Sequence, residues 1–384
     1  MKRLLVTGAA GFIGSHVAEV LHRRGYHLVL LDALNYAGHV ENLASLEPLQ
    51  VVVPRFGDDL VEVDPSGRAR SLSIPVDEAK LPSHRQEVPD PTALVQALAT
   101  DKPVLVVANL LNRTVVQTLM AQVHGVVHLA AETHVDRSLV HPRRFLASDI
   151  WGTYTLLEAA RRHPVERFLY VSTDEVYGEV PEGEASEDWP LRPSSPYAAS
   201  KAAADRFAFA YFRAYGVPVL IARPSNAFGP RQYPEKLIPV MVLLALADRP
   251  LPLYGDGQQR RNWIYVEDLA EALVCILESG TVGVEYNVPG TTEMTNLELV
   301  HRLLDLLGKP KSLIRFVKDR PGHDRRYALA GDRLRQLGFR PRHAFSEALR
   351  VTVRWYQEHR SWLRTLMQRD PFLREWYRER GLDL

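Results

Sequence analysis

The sequence predicts an α/β protein in which a doubly wound parallel sheet carries helices on both faces and a second, smaller lobe is interleaved with it. Short runs rich in valine, leucine and isoleucine alternate with helical segments in the first half of the chain, which is typical of such a sheet. From Pro181 onward, segments rich in proline and glycine interrupt this alternation. The predicted strands begin at or contain six positions: Leu4, Leu28, Val104, Val126, Phe168 and Val219.

These patterns divide the chain into three parts. The domain built on the sheet comprises residues 1–180, completed by 196–227 and part of 262–285. The second lobe comprises residues 181–195, 228–261 and 286–344. Residues 345–384 are predicted to form a helical tail, whose spaced aromatic side chains would pack on the body of the protein.

The N-terminal segment carries the first functional signal. Lys2 to Thr7 is predicted to be a buried strand, and Gly8, Gly11 and Gly14 follow it at three-residue spacing before a helical pattern. Glycines at this place let the backbone approach a diphosphate at the helix N-terminus, where free N–H groups and the helix dipole favour negative charge. A second strand ends at Asp32, whose carboxylate would accept hydrogen bonds from the adenosine ribose and repel an additional phosphate. The pattern therefore predicts an NAD site rather than an NADP site.

A second signal lies in the middle of the chain. Thr173, Asp174 and Glu175 directly follow a predicted strand, so they would lie at the carboxyl edge of the sheet, where open α/β sheets bind ligands. Tyr197 and Lys201 are four positions apart and would share one face of a helix. A tyrosine titrates near ~10, and we expect the Lys201 ammonium to lower the pKa of Tyr197. Two carboxylates beside one tyrosine indicate two proton transfers beyond the one that an alcohol oxidation needs.

Eight stretches distributed along nearly the whole chain match the motifs of one family. In chain order they are VTGAAGFIGS (6–15), LAAETHVDRS (129–138), VSTDEVYG (171–178), SPYAASK (195–201), GPRQYPEKLIP (229–239), YGDGQQRRNWIYVED (254–268), YNVPGTTEMTN (286–296) and DRPGHDRRY (319–327). On these motifs the sequence resembles the dTDP-glucose 4,6-dehydratases of the extended short-chain dehydrogenase/reductase superfamily, whose fold is of the Rossmann type. The Thr-Asp-Glu triplet distinguishes this group, because epimerases and decarboxylases of the superfamily differ at the two carboxylates.

The resemblance implies a reaction and a role for each residue of the triplet and the Tyr-Lys pair. Tyr197 would take the proton of the sugar 4-hydroxyl while C4 gives hydride to NAD, with Thr173 bonded to that oxygen and Lys201 holding the nicotinamide ribose. Glu175 would then remove the C5 proton as a protonated Asp174 donates to the departing 6-hydroxyl. Hydride would return to C6, so this hydro-lyase would convert an NDP-glucose, with dTDP-glucose favoured, to the 4-keto-6-deoxy sugar and water while regenerating NAD.

The resemblance also implies which residues contact the ligands. The cofactor set is Gly8, Gly11, Phe12, Ile13, Gly14, Asp32, Asn109, Leu110, Ala130, Ala131, Tyr197 and Lys201. The substrate set is Asn226 and Arg261 at the diphosphate, Asn287, Arg320 and His323 around the phosphates and the nucleoside, and Glu235 and Lys236 at the sugar. Arginine suits phosphate because its guanidinium binds phosphate oxygens in pairs.

Four positions depart from the family pattern. Asn109 stands where an aspartate is expected to contact adenine, although an amide can still pair there. Asp149 replaces an asparagine, Ala227 replaces a second asparagine, and Asn262 replaces an aspartate. None of the four belongs to the proton-transfer set. We therefore expect a divergent member of the family, in which the particular nucleotide sugar is left open more than the reaction.

The largest departure is an insertion at residues 50–103, where the fold needs only a short connection between two parallel strands. Residues 61–63 and 69–74, joined by a turn at 65–67, are predicted to form a hairpin, and residues 91–99 a short helix. The insertion would lie near the adenosine end of the cofactor. A tolerated surface elaboration is the favoured interpretation, and an assembly surface or a cofactor lid is the alternative.

Composition argues against several other classes of protein. The net charge of +1 disfavours a nucleic-acid or membrane-surface partner. No apolar run reaches ~18 residues and the N-terminus enters a strand directly, so we expect neither a membrane span nor a secretory signal, and a cytoplasmic enzyme. The single Cys275 and the spacing of the histidines predict no metal site. Amphipathic helices at 153–162 and 200–215 would form a four-helix interface with a second copy, so a homodimer is expected.

Two alternatives remain open from the sequence alone. A 4-epimerase or a decarboxylase of the same superfamily would share the fold and the cofactor, but neither needs both Asp174 and Glu175. A non-catalytic NAD-binding scaffold would share the fold as well, but it would not need to keep every proton-transfer residue.

Overall fold

The computed structural model describes residues 2–57, 61–63, 69–71 and 76–379. The strands, in chain order, are β1 (Arg3–Thr7), β2 (His27–Asp32), β3 (Gln50–Pro54), β4 (Val61–Val63), β5 (Ala69–Ser71), β6 (Gln86–Val88), β7 (Val104–Val107), β8 (Gly125–His128), β9 (Arg167–Val171), β10 (Val219–Pro224), β11 (Asn226–Phe228), β12 (Leu251–Tyr254), β13 (Arg260–Tyr265), β14 (Glu285–Val288), β15 (Thr292–Thr295) and β16 (Ile314–Val317).

The helices, in chain order, are α1 (Phe12–Arg23), α2 (Pro91–Ala97), α3 (Arg113–Met120), α4 (Val135–Val140), α5 (Pro142–Phe145), α6 (Gly152–Arg162), α7 (Pro196–Tyr215), α8 (Leu237–Leu246), α9 (Val266–Ser279), α10 (Asn296–Leu307), α11 (Asp332–Gln336), α12 (Phe345–Glu358), α13 (Arg360–Arg369) and α14 (Pro371–Glu379). A π-helical segment, Leu146–Trp151, joins α5 to α6. Short 3₁₀ turns lie at Val40–Leu46, Glu78–Lys80, Asp174–Tyr177 and Lys311–Leu313.

The main sheet is parallel throughout, and its order within the described residues is β14-β10-β9-β8-β1-β2-β7-β3-β6. Its central strands are almost continuously apolar because helices cover both of their faces, and a separate core lies on each face. The doubly wound fold and its six predicted strands are confirmed. The chain reverses its winding direction between β1 and β8, so a crevice opens beyond the carboxyl ends of these strands.

The insertion is built into the main sheet. β3 pairs with β7 and β6 pairs with β3, so the insertion adds two parallel strands to one side of the sheet, which the sequence did not predict. The hairpin is confirmed where it is described, because β4 and β5 pair antiparallel. Its second strand ends at Ser71, and the predicted turn at 65–67 lies outside the described residues. The short helix is confirmed as α2.

A second group of elements lies beyond the carboxyl edge of the main sheet. It contains a three-stranded sheet, β11-β13-β15, and a two-stranded sheet, β12-β16. β14 pairs with β10, so residues 285–288 belong to the main sheet, whereas the sequence placed the lobe boundary at residue 286. The helical tail is confirmed for α12 to α14: α12 packs on α8 and α10, and α13 packs on α12 and α14 in the same core. Among the described residues, no helix is both long enough and apolar enough to cross a membrane.

Candidate active site

One cavity follows the carboxyl ends of β1, β2, β7, β8 and β9. It continues past the start of α7 to the segment after β10, so one connected space joins the glycine loop to the Thr-Asp-Glu triplet. The sequence-predicted residues that line it are Gly8, Gly11, Phe12, Ile13, Gly14, Asp32, Asn109, Leu110, Ala130, Ala131, Thr173, Asp174, Glu175, Tyr197, Lys201, Asn226, Glu235 and Lys236.

The glycine loop after β1 is packed too tightly for side chains at two of its positions. Gly8 has a φ of +69°, and a Cβ there would lie 2.7 Å from the Ala130 nitrogen. A Cβ on Gly14 would lie 2.0 Å from the Gly8 carbonyl oxygen. Gly11 precedes α1 and makes no side-chain cap, so the first N–H groups of this helix remain available to a ligand. The loop therefore has the shape and the electrostatics of a diphosphate cradle.

Asp32 lies at the end of β2 and is held by the backbone. Its two carboxylate oxygens accept hydrogen bonds from the Ala10 nitrogen at 2.9 Å and the Leu34 nitrogen at 2.8 Å. Burial raises the pKa of Asp32, and these two N–H groups and the Lys80 ammonium act in the opposite direction. The acid is thus fixed at the edge of the cavity, beside the glycine loop, as the sequence pattern predicts for an NAD site.

The Thr-Asp-Glu triplet follows β9 directly. Thr173 caps the 3₁₀ turn by accepting a hydrogen bond from the Glu175 nitrogen at 3.3 Å, and its hydroxyl lies 3.2 Å from an Asp174 carboxylate oxygen. The other Asp174 oxygen, Oδ2, is buried with no partner among the described residues. Burial and the adjacent Glu175 carboxylate raise the pKa of Asp174 to about 8. Asp174 therefore holds a proton at neutral pH.

Glu175 differs from Asp174 because cations face it. Burial raises the pKa of Glu175, and the positive charges of Arg320, Arg261 and Lys236 oppose that rise. For Asp174 the second largest influence is the negative charge of its neighbour instead. Because the two carboxyls repel each other and only Glu175 is opposed by three cations, these surroundings favour the proton on Asp174 and the charge on Glu175.

Tyr197 and Lys201 lie in the first two turns of α7, which begins at a Ser195 cap followed by Pro196. The Lys201 ammonium donates to the Val171 carbonyl at 2.7 Å, and burial lowers its pKa to about 8. The prediction that the pKa of Tyr197 is lowered is wrong for the chain alone. Burial and the Glu175 charge raise the pKa of Tyr197 well above 10, and a hydrogen bond with Thr173 only partly opposes them.

The π-helical segment places Asp149 behind these residues. Its carboxylate accepts hydrogen bonds from the Glu132 nitrogen at 2.9 Å and the Ser200 hydroxyl at 2.6 Å. Burial raises its pKa to about 6, although the Lys201 ammonium acts in the opposite direction. π-Helical turns often occur at functional sites because they redirect one residue of a helix. Asp149, noted in the sequence as a departure, thus contributes a buried acid beside Lys201.

The predicted substrate residues fall into two groups. Asn226, Glu235 and Lys236 line the cavity, whereas Arg261, Asn287, Arg320 and His323 do not. Arg261 and Arg320 lie near enough to influence Glu175, and the Arg320 Nε is buried with no partner among the described residues. Asn287 is fully buried, and its amide bonds the Tyr177 hydroxyl at 2.8 Å and the Ala185 carbonyl at 2.9 Å. This side chain is committed to packing between β14 and the second lobe.

Several cavity residues were not identified from the sequence. They are Asn35, Tyr36, Glu132, Thr133, Arg144, Ser148, Ser172, Ser225, Gln232 and Tyr233. Glu132, Thr133 and Ser172 lie inside motifs that had been recognised, so their positions beside predicted site residues were an available signal. Burial raises the pKa of Glu132 to about 7, which makes it a further acid at the cavity wall.

The lining fits NAD in its chemistry as well as its shape. Buried polar atoms with no partner among the described residues occur along the cavity at Asn35 Oδ1, Ser172 Oγ, Ser225 Oγ and Asn226 Oδ1. Such atoms are costly to leave unpaired, so they favour a polar ligand over an empty or apolar space. No group of three or more histidine, cysteine, aspartate or glutamate side chains arranged for a metal ion occurs in the described part of the chain.

Comparisons with known proteins agree with this geometry. The model of the NAD dependent epimerase/dehydratase family matches residues 4–289. A dTDP-glucose 4,6-dehydratase of Streptomyces niveus is 38% identical over 375 residues, which cover 96% of each chain.

Two solved structures, one from each of two reaction classes, align with the chain. DesIV, a dTDP-glucose 4,6-dehydratase of Streptomyces venezuelae solved with NAD and TYD bound, aligns with a TM-score of 0.80 at 38% identity over 95% of this chain and 99% of its own. The NAD complex of a UDP-glucose 4-epimerase of Thermus thermophilus aligns with a TM-score of 0.73 at 30% identity over 92% of this chain and 99% of its own. With its glycine cradle and its Thr-Asp-Glu triplet in one cavity, the chain belongs to the NAD dependent epimerase/dehydratase family and, within it, to the dTDP-glucose 4,6-dehydratases.

Proposed function

We propose that this protein is an NAD-dependent hydro-lyase that converts dTDP-glucose to dTDP-4-keto-6-deoxyglucose and water. One observation carries the proposal: Asp174, whose pKa is raised to about 8, and Glu175, which three cations face, lie side by side in the same cavity as Tyr197 and the glycine cradle. Elimination of water across C5 and C6 needs one base and one acid close together. Two adjacent carboxyls in unlike electrostatic surroundings can supply both.

Oxidation at C4 is assigned to the residues of α7 and the triplet. NAD, when bound, accepts a hydride from C4 and returns it to C6. Tyr197 receives the proton of the 4-hydroxyl, and the Thr173 hydroxyl, which bonds Tyr197, orients the reacting oxygen. Because burial holds the pKa of Tyr197 high in the chain alone, the phenol needs nearby positive charge before it can act as a base. Because Lys201 is already present in the chain, the positively charged nicotinamide ring is the candidate source of the additional charge.

Elimination is assigned to the carboxyl pair. A ketone at C4 acidifies the C5 proton, and Glu175, whose charge is favoured by Arg320, Arg261 and Lys236, removes it. Asp174 gives its proton to the departing 6-hydroxyl. The unpartnered Asp174 Oδ2 supports this assignment, because a carboxyl that bonded neighbouring protein groups through both oxygens would not be available to the substrate.

Binding of the diphosphate is assigned to residues with unused polar atoms. The Asn226 Oδ1 and the Arg320 Nε are buried without partners among the described residues. The two Arg261 terminal nitrogens donate to backbone carbonyls, at 2.8 Å to Arg260 and 3.0 Å to Asp324, so Arg261 would contribute its positive charge and its remaining donors. His323 bonds Asp319 at 2.6 Å and would contribute from the rim. We leave Asn287 out of the set because its amide is already paired.

The decisive experiment incubates the purified protein with a panel of nucleotide glucoses. We expect dTDP-glucose to give a 4-keto sugar, which absorbs strongly in the near ultraviolet in alkali, without net accumulation of NADH. A C4 epimer formed without loss of water would favour a 4-epimerase instead. Stoichiometric NADH would indicate a simple dehydrogenase. If no nucleotide sugar reacts, while the protein still binds NAD, the scaffold interpretation is favoured and the proposal fails.

We also propose the division of the chain made in the sequence analysis, with the Rossmann domain extended to include β14. Separate hydrophobic cores under the main sheet and in the second lobe support it. Limited proteolysis with NAD and without it would test the boundaries, since cleavage should concentrate between the two sets of core elements. Cleavage within the main sheet would contradict the division.

We further propose a homodimer in the cytoplasm, where NAD and nucleotide sugars are made. α6 and α7 pack on each other, and the exposed large side chains near them are Trp151, at the end of the π-helical segment before α6, and Phe207 and Tyr215 on α7. A second copy presenting the same two helices would cover them in a four-helix interface. Sedimentation of a monomer at micromolar concentration would reject the dimer.

A further inference from the structure

The insertion sends one lysine to the loop that follows Asp32. The Lys80 ammonium donates to the carbonyls of Asn35, Tyr36 and Gly38, at 3.3 Å for Tyr36 and 3.1 Å for Gly38. An ammonium has three donors and no acceptor, so three carbonyls satisfy it completely. A lysine used in this way fixes the path of a loop, because it holds several carbonyls around one charge.

The loop that Lys80 holds is a wall of the cavity. Residues 33 and 35–38 line it beside Asp32, on the side where the adenosine ribose is bound in this type of fold. The loop is strained, because Leu34 has a φ of 48°, in the left-handed region that side chains rarely adopt. At Gly38 a Cβ would lie 2.6 Å from an Asp32 carboxylate oxygen. A strained conformation persists only where its surroundings hold it.

The rest of the insertion keeps Lys80 in place. Val76 and Leu81, on either side of it, pack against the core on one face of the main sheet. The Arg55 guanidinium, at the end of β3, donates to Glu78 at 2.7 Å and to Glu87 at 2.8 Å. These contacts connect the added strands to the turn that carries Lys80, so the described part of the insertion supports the loop from the sheet.

We propose that the insertion is a positioning element for NAD, in which Lys80 holds residues 33–38 in the conformation that receives the adenosine half of the cofactor. The role goes beyond the proposed reaction and does not depend on which nucleotide sugar is the substrate. Lys80 acts through the loop and is not a catalytic residue.

The test replaces Lys80 by methionine, which keeps most of the length and removes the donors. Calorimetry of the protein stripped of NAD should show dissociation constants for NAD and ADP-ribose that rise by about tenfold, the effect of losing hydrogen bonds to one charged group. The affinity for nicotinamide mononucleotide should not change, because it occupies the other half of the site. The KM for added NAD should rise, with kcat at saturating NAD within about twofold.

A matched control is Lys102→Met, which removes an exposed lysine from the same insertion and should leave all three affinities unchanged. Lys80→Gln, which keeps neutral donors, provides a milder test if Lys80→Met does not fold. It should also raise the dissociation constants for NAD and ADP-ribose. Unchanged affinity for NAD and ADP-ribose in a folded Lys80 variant would overturn the proposal. An equal loss of affinity for nicotinamide mononucleotide would also overturn it, since that would indicate general damage to the site rather than displacement of residues 33–38.

Discussion

Asp174 and Asp136 are both buried aspartates near the same cavity, and their surroundings give them opposite properties. Asp136 accepts hydrogen bonds from the Arg320 guanidinium and the Trp376 indole, each at 2.9 Å, and from the Tyr254 hydroxyl at 2.5 Å. Burial alone would raise the pKa of Asp136, but its cationic and hydrogen-bonding neighbours hold it well below the usual range.

Asp174 has one unpartnered oxygen and a carboxylate beside it, and its pKa rises to about 8. The comparison teaches that burial does not decide the charge of an acid in this protein. The number and sign of its partners decide it. The Arg320 charge and the hydrogen bonds from Tyr254 and Trp376 favour the ionised form of Asp136, whereas Asp174 keeps an unpartnered oxygen available to a ligand.

The largest expected effect separates the two carboxyls of the triplet. In Asp174→Asn, release of water from C6 should fall by about 10²- to 10⁴-fold because the acid is lost. Exchange of the C5 proton with deuterated water, followed by mass spectrometry, should persist because Glu175 remains. In Glu175→Gln both should fall together. The opposite split would reverse the two roles, and unchanged dehydration in both variants would contradict the proposed function.

A smaller effect concerns the free energy of unfolding, for which Asp136 should matter more than Asp174. Asp136→Asn leaves the partly buried Arg320 charge without this carboxylate and should lower the free energy of unfolding by about 3 kcal/mol. Asp174→Asn should not lower it, because it removes an acid that is costly to ionise. Denaturant unfolding at neutral pH measures both. Asp256→Asn, in an exposed pair with Arg325, is the control and should change little. Equal losses for Asp136 and Asp174 would break the comparison.

The pH dependence of stability should have opposite signs at the two positions. The folded pKa of Asp174 is raised from 3.8 to about 8, so its favourable contribution is complete below 3.8 and is lost as pH rises toward about 8. The folded pKa of Asp136 is depressed, so its contribution is present above 3.8 and is lost as pH falls below that value. Denaturant unfolding of each Asn variant against the parent should show the Asp174 slope between pH 3.8 and about 8, and a slope of opposite sign for Asp136 below pH 3.8. Parallel slopes would contradict the assigned pKa directions.

The smallest expected effect concerns Asp149 and Lys201. The Asp149 charge raises the pKa of Lys201, so Asp149→Asn should lower it and move the alkaline limit of activity to lower pH by up to about one unit. C5 exchange in the Asp174→Asn background provides the measurement, because the titration of Asp174 is then absent. Asp101→Asn, at a fully exposed position, is the control. An unchanged alkaline limit of activity would show that the Asp149 charge does not influence the pKa of Lys201.

The sequence predicted what depends on neighbours along the chain. The six strands, the glycine cradle and the triplet each follow from a local pattern of residues, because a buried strand and the turn after it are read within a few positions. The short strand β6 was missed because Gln86 and Glu87 carry no β-type pattern. The contacts of Lys80 with residues 35–38 were missed because they join segments more than forty residues apart.

The electrostatics of the site were predicted least well. The sequence identified Lys201 as a partner for Tyr197, but it could not indicate how deeply both are buried or that Glu175 and Asp149 raise the pKa of the tyrosine. Asp136 pairs with Arg320 and accepts a hydrogen bond from Trp376, and these three residues likewise lie in distant segments of the chain. A motif fixes which groups meet, and the packing around them fixes their charge.

The strands added by the insertion have a consequence for the whole molecule in solution. Without them, the side of the sheet beyond β2 would end in β7, a strand of valine and leucine that is buried along its length. An exposed apolar edge of this kind offers its backbone to another chain. β6 ends the sheet instead with exposed Gln86 and Glu87, beside Arg55 and Arg85. With polar and charged side chains on its outer strand, this edge is less suited to pairing with another chain than β7 would be, and removing β3 and β6 would expose β7.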